Sequence, residues 1–321
     1  MKKWLILTLL IILLAAFSLA NYLLPKVTFR PTTSNIPTGI NSSLQDVEVI
    51  AGNLNIPWEI AFLPDGSMLV TERPGNIKRV DNNKIIDVKN VYHRGEAGLL
   101  GLAIHPDFAN NNYIYIYLTA DTPTGIVNRI ERYKLINDIL QDRKIILDNI
   151  PASEFHDGGR IKFGPDSFLY ITTGDAGQEE LAQDKNSLAG KILRIKDDGS
   201  LPDNPFKNEV YSYGHRNSQG LAWDDAGNLW ATEHGRSGVQ SGLDELNLIL
   251  PGNNYGWPVI QGDESRKGME TPIINSGSLD TWAPAAAVFY KDSIFFTGLR
   301  GQALYQAVIK DGKVTSIKQH S

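Results

Sequence analysis

Ile60-Ala-Phe-Leu-Pro-Asp-Gly-Ser-Met-Leu-Val-Thr71 reads as an apolar strand, a Pro-Asp-Gly turn and a second apolar strand. Proline presets φ for the turn, aspartate hydrogen-bonds the backbone just beyond it, and glycine supplies a positive φ. The flanking residues are β-branched and aromatic, as short buried strands require. The unit recurs. Leu102-Ala-Ile-His-Pro-Asp107 leads into 113–119, Ile161-Lys-Phe-Gly-Pro-Asp166 into 168–173, and Gly220-Leu-Ala-Trp-Asp-Asp225 into 228–232. Ala287-Val-Phe-Tyr-Lys-Asp292 leading into 294–297 is a weaker fifth copy. A third strand often follows, at 75–80, 129–135 and 191–195. Small sheets repeated radially bury their faces against their neighbours, which is the propeller solution. A sandwich would space its strands more evenly and would not repeat the Pro-Asp turn.

Composition agrees. The 321 residues are 42% hydrophobic and 21% charged, with 29 Gly and 16 Pro, enough for a large core joined by many tight turns. A net charge of -5 without a basic cluster argues against nucleic acid as a partner. Cysteine is absent, which excludes thiol nucleophiles, thiolate metal sites and covalently attached haem. Lys2 and Lys3 precede an apolar run from Trp4 to Ala20 that continues to Leu24 with one Asn. Residues 1–24 fit a cleaved signal peptide and a retained membrane anchor alike, and either places the remainder outside the cytoplasm. Residues 25–44, rich in Ser, Thr, Pro and Asn, read as a linker, and 45–321 as the propeller. A strand is expected over 46–51, completing a blade contributed mostly by the C-terminal part.

Propellers carry their sites on loops at one end of the channel, so polar loop segments matter most. His156-Asp-Gly-Gly-Arg160 precedes one inner strand, and Thr173-Gly-Asp175 follows the next strand of the same hairpin. That places His156 beside Asp175 as a general base with an orienting carboxylate. Taken alone, the segment reads more readily as a loop-capping histidine. Tyr213-Gly-His-Arg-Asn-Ser-Gln-Gly220 offers Arg216 and Asn217 as a donor fork for a carboxylate or quinone oxygen, or as a surface turn with the arginine packed on Trp223 or Tyr213. The run from Glu233 to Asn247 combines glycines with Asp244, Glu245 and Asn247. Such oxygen-rich surroundings suit Ca²⁺, although the spacing is not that of an EF-hand and a flexible surface loop would look the same.

Taken together and in order, Gly95-Glu-Ala-Gly-Leu-Leu-Gly, His156–Arg160, Gly174-Asp175, Gly214-His-Arg-Asn-Ser-Gln-Gly220, Asp244-Glu-Leu-Asn247 and Asn254-Tyr-Gly-Trp-Pro258 resemble the soluble quinoprotein glucose/sorbosone dehydrogenases, nearest the aldose sugar dehydrogenase branch. The resemblance spans about residues 48–305. It implies a six-bladed propeller, with the last blade incomplete in this chain, that oxidises an aldose at the anomeric carbon using pyrroloquinoline quinone (PQQ) and Ca²⁺. Electrons would pass to an external acceptor. By the same resemblance His156 is the base, Asp175 its orienting partner and Arg216 the group stabilising the developing oxyanion. Glu96, Lys191, Asn217 and Arg300 would contact the cofactor. The carbonyls of Gly235 and Arg236 would ligate one Ca²⁺, and Glu245 with the Tyr255 backbone a second, structural one. Two departures stand out: Glu96 replaces a glutamine common in the family, and an arginine pair of the family's final blade lies beyond Ser321. Both favour an alternative, a non-catalytic extracytoplasmic propeller that binds a carbohydrate or a protein. A lactonase-type hydrolase would need a carboxylate cage for Ca²⁺ within the channel, and the sequence offers none.

Overall fold

The computed structural model describes residues 28–29, 38–42, 48–238 and 241–320. The repeats become antiparallel sheets, each running outward strand by strand from the channel. The first blade comprises Pro57–Phe62, Met68–Glu72, Asn76–Arg79 and Lys84–Asp87. The second comprises Leu99–Ile104, Tyr113–Thr122, Gly125–Ile136 and Ile139–Ile150. The third comprises Ile161–Phe163, Leu169–Thr173, Lys191–Ile195 and Val210–Tyr213. Ser218–Trp223, Leu229–Glu233, Glu245–Ile249 and Ile274–Asn275 form the fourth. Pro284–Tyr290, Ser293–Gly298, Ala303–Lys310 and Lys313–His320 form the fifth, and Thr38–Ser42 pairs in parallel with its outer strand.

The turn chemistry is that expected. Asp65 Oδ1 accepts the Ser67 amide at 2.9 Å beside Gly66 at φ 86°, and Asp224 Oδ1 accepts the Ala226 amide at 3.0 Å beside Gly227 at φ 81°. The His105-Pro-Asp107 copy differs by opening into one helical turn, Phe108–Asn111.

The expectation of six blades is corrected: the described residues build five. The sequence itself shows five copies, and only the family resemblance supplied a sixth. Ala61 packs toward the second blade and Phe289 toward the fourth. Strand alternation then turns Ile60 and Phe62, and Val288 and Tyr290, to the opposite faces, where all four are exposed. Of the expected strand over 46–51, residues 46–47 lie outside the described residues and 48–51 carry no regular structure. Within the expected linker, Thr28–Phe29 pairs with Glu264–Ser265. Residues 1–24 lie outside the described residues; among those described, no helix is long and apolar enough to cross a membrane.

Neighbouring blades are joined by packed aliphatic faces and by a repeated polar staple. The threonine one residue before the end of the second strand of the unit donates to the inner strand of the next blade: Thr71 Oγ1 to Leu100 O at 2.6 Å, and Thr232 Oγ1 to Ala285 O at 2.7 Å. Across the channel, Arg160 pairs with Glu59, donates to Gln219 O and lies 4.0 Å from the Trp58 ring centroid. Blades one, three and four are thereby tied at their inner ends. Replacing a buried hydroxyl by a methyl strands its acceptor, at a cost of about 1–3 kcal/mol. Thr232→Val is therefore expected to lower the urea midpoint with an unchanged m-value; an unchanged midpoint would show that the staple contributes nothing.

Candidate active site

The third-blade hairpin brings the two ends of its loops together as the sequence suggests. His156 Nδ1 lies 2.8 Å from Asp175 Oδ1, which also accepts the Gly177 amide at 2.8 Å, while Oδ2 accepts Trp257 Nε1 at 2.9 Å. Burial opposes ionisation of Asp175, but these donors outweigh it and hold the carboxyl below its ordinary value. A charged acceptor on Nδ1 assigns that nitrogen the proton and leaves Nε2 with its lone pair. His156 itself sits at φ 59°, a left-handed conformation held by its surroundings. A Cβ on Gly174 would collide with the His156 carbonyl, so only glycine admits this approach.

Glu96 and Asn217 complete that support. Glu96 Oε2 accepts the His156 amide at 2.9 Å and Asn217 Nδ2 at 3.4 Å, and Asn217 Oδ1 accepts the Gly158 amide at 3.0 Å. The carboxylate that departs from the family pattern is thus paired. Arg216 is not a surface residue packed on Trp223 or Tyr213. It is 6% exposed, donates to Ser237 Oγ at 2.9 Å and lies 5.2 Å from the Trp257 ring centroid. Its amide donates to Glu233, whose carboxylate also accepts His215 Nδ1 and Ser218 Oγ.

The remaining expected residues divide. Arg236, Gly235 and Glu245 line one pocket with Arg216, His234, Tyr255 and Trp257. In this pocket Arg216 Nε, Arg236 Nε and His234 Nε2 are buried without a partner. Burial keeps the His234 imidazole below its ordinary pKa and so neutral at pH 7. Lys191 does not join them. Its ammonium is fully buried and donates to Leu181 O, Ala182 O and Ala189 O, so it pins that loop, and burial lowers it to about 7. Arg300 is exposed and reaches Ser241 Oγ at 3.4 Å. Asp244, read from the sequence as a candidate oxygen ligand, instead accepts the amides of Gly235, Trp282 and Ala283 and the Thr281 hydroxyl.

Among the described residues no three His, Asp or Glu side chains cluster to hold a metal. The oxygen-donor features here are the carboxyl of Glu245, which burial and then neighbouring Glu233 push up to about 8, and an unpartnered Asn247 Oδ1. The Arg236 carbonyl already accepts the Gly242 amide at 3.3 Å.

Three further residues were not singled out from the sequence as site residues: Trp257, Glu233 and Asp157. Trp257 was legible only as part of the Asn-Tyr-Gly-Trp-Pro motif. Asp157 is 1% exposed, with Oδ1 held by Asn128 and Ser153 and Oδ2 unpartnered; burial pushes it up to about 7. A raised carboxyl stabilises the fold below the unfolded pKa and loses that contribution as pH rises through the folded one. The window is therefore about pH 4 to 7, and the amplitude about 4 kcal/mol. Asp157→Asn is expected to raise the melting temperature at pH 8 and to leave it nearly unchanged at pH 4. Equal shifts at both pH values would remove Asp157 as the titrating group.

The sequence profile of the Glucose / Sorbosone dehydrogenase family matches residues 54–320. Aldose sugar dehydrogenase YliI of Escherichia coli K12 is 31% identical, over 87% of this chain and 77% of its own. Quinoprotein glucose dehydrogenase B of Acinetobacter calcoaceticus is 37% identical over 70% of this chain, which spans 54% of that protein's length. The PQQ-bound aldose sugar dehydrogenase of Streptomyces coelicolor superposes with a TM-score of 0.77 at 36% identity, covering 92% of this chain and 86% of its own. With its repeats, its His156–Asp175 pair and a family match over nearly the whole described propeller, the chain belongs to the glucose/sorbosone dehydrogenase family.

Proposed function

We propose that this protein oxidises an aldose at its anomeric carbon to the lactone, with PQQ and Ca²⁺ bound, and passes the electrons to an external acceptor outside the cytoplasm. The observation that carries the reading is the His156–Asp175 pair together with the buried, unpartnered donors on Arg216 and Arg236 and the unpartnered His234 Nε2 beside them. A buried donor without an acceptor is costly, and several around one pocket fit a ligand that brings its own acceptors. A quinone bearing three carboxylates is such a ligand. When bound, PQQ supplies a two-electron acceptor for the hydrogen on the anomeric carbon.

The chain's own groups handle the proton and the charge. His156 Nε2 takes the proton of the anomeric hydroxyl, and Asp175 holds the ring and stabilises the resulting imidazolium. Arg216, fixed through its backbone by Glu233, places positive charge where negative charge develops. Asn217 and Glu96 hold the base in position. Arg300 lies near Ser241 as a rim cation for an anionic group. The carbonyl of Gly235, and that of Arg236 through its second lone pair, suit a hard cation, as do the Tyr255 backbone and Glu245 once its raised carboxyl ionises. Lys191 has all three observed donor directions taken up by carbonyls, so its contribution is to support the loop rather than to bind directly. The apolar segment 4–24 supports export, as a signal or as an anchor. Glu96 is committed to the His156 amide and Asn217, which weakens one of the two grounds for the non-catalytic alternative.

Protein supplied with both PQQ and Ca²⁺ is expected to reduce a redox dye with aldoses, and protein lacking either is expected not to. His156→Ala should lower turnover by at least about 100-fold while PQQ still quenches tryptophan fluorescence. Unchanged turnover in that variant would remove His156 as the base.

A further inference from the structure

We propose that Phe155 is a specificity-determining residue, the apolar platform on which a pyranose ring rests while His156 acts on it; this rests on the sugar-oxidising reading above. Phe155 is a large apolar side chain left 48% exposed directly beside the base. Its ring meets His156 edge to face, with centroids 5.2 Å apart and planes at 79°. It also covers Gly177, whose position at φ 74° leaves no room for a side chain: a Cβ there would lie 2.6 Å from Phe155 Cε2. The Gly177 amide in turn donates to Asp175 Oδ1. The ring thus lies against the backbone turn that carries the catalytic pair.

The two oxygens of Asp175 separate two aromatic side chains. Oδ2 receives the Trp257 indole, whose ring has the Arg216 guanidinium over it, so that aromatic belongs with the donors proposed for the cofactor. Oδ1 receives His156 and the Gly177 turn that Phe155 covers. Phe155 therefore remains the aromatic surface on the base's flank with area to offer. An aldopyranose with equatorial hydroxyls presents axial C–H groups on both ring faces. Such C–H edges are electropositive and fit the negative face of an aromatic ring, whereas the hydroxyls remain free for polar neighbours. A phenyl ring adds no polar atom to compete for the anomeric hydroxyl.

The test compares Phe155→Leu, which keeps apolar contact with Gly177, and Phe155→Tyr, which keeps the ring. With protein supplied with PQQ and Ca²⁺ and d-glucose as substrate, the leucine variant is expected to raise KM about tenfold and to change kcat by less than about threefold. The tyrosine variant should restore KM to within about twofold. An unchanged KM, or a fall in kcat alone, would mean that the ring merely braces His156 and would overturn the proposal. A second readout needs no turnover: saturation-transfer NMR with 1,5-anhydro-d-glucitol, which lacks the oxidisable hydroxyl. Wild type should transfer saturation most strongly to the axial ring protons, and the leucine variant should lose that transfer. If wild type turns over no aldose but this Phe155-dependent transfer persists, the oxidation reading fails and the platform stands. If the transfer is absent from wild type or the same in the leucine variant, the platform itself fails.

Discussion

The geometry of the site depends on how closely two loop backbones approach at the end of the third blade. His156 adopts a left-handed backbone, and its carbonyl lies where any side chain on residue 174 would have to be. Because residue 174 is glycine, the turn after the second strand can press against the loop before the first, and His156 Nδ1 reaches Asp175. Gly158 contributes similarly, since a Cβ there would meet Thr172 and Thr173 at 2.6 Å. The cost of holding a non-glycine residue at positive φ is on the order of 1–3 kcal/mol, and the hydrogen bonds that His156 donates to Glu96 and Asp175, and Gly158 to Asn217, offset it. The His156 imidazole and the Asp175 carboxylate are pre-positioned by backbone packing.

Around that contact the charges are arranged with an evident division of labour. Glu233 and Asp244 are buried, and each is surrounded by donors from the protein itself. They hold the Arg216 amide on one side and the approach to the fifth blade on the other. In the pocket, Arg216 Nε, Arg236 Nε and His234 Nε2 are left without partners. With Glu233 and Asp244 bonded within the protein and Arg216 and Arg236 each keeping an open nitrogen, the pocket gains positive character despite the chain's net negative charge. Glu96 fits the same scheme, because its carboxylate is directed at the His156 amide and at Asn217.

The fold was legible in the sequence to the extent that it is local. A Pro-Asp-Gly turn between apolar runs is decided within a dozen residues, so five hairpins and several third strands could be read directly. The His156–Asp175 pairing was legible for the same reason, since a single hairpin separates the two segments. What escaped depends on contacts far apart in the chain. Asp244 looks like a cation ligand until residues 281–283 fold back onto it, and Lys191 looks like a cofactor contact until three carbonyls surround it. Asp157 looks like an ordinary turn residue, and only burial against Asn128 reveals a carboxyl that resists ionisation. The sixth blade was an inference from kinship, with no sixth repeat in the sequence behind it.

The central claim is that the pocket beside His156 oxidises the anomeric carbon of an aldose. Following d-glucose labelled with ¹³C at C1 by NMR tests it most directly, with PQQ, Ca²⁺ and a dye acceptor present. The account predicts that the label moves from the two anomeric signals to a lactone or carboxylate carbon, and only when both PQQ and Ca²⁺ are supplied. Anomeric signals that persist unchanged in the complete mixture would contradict it.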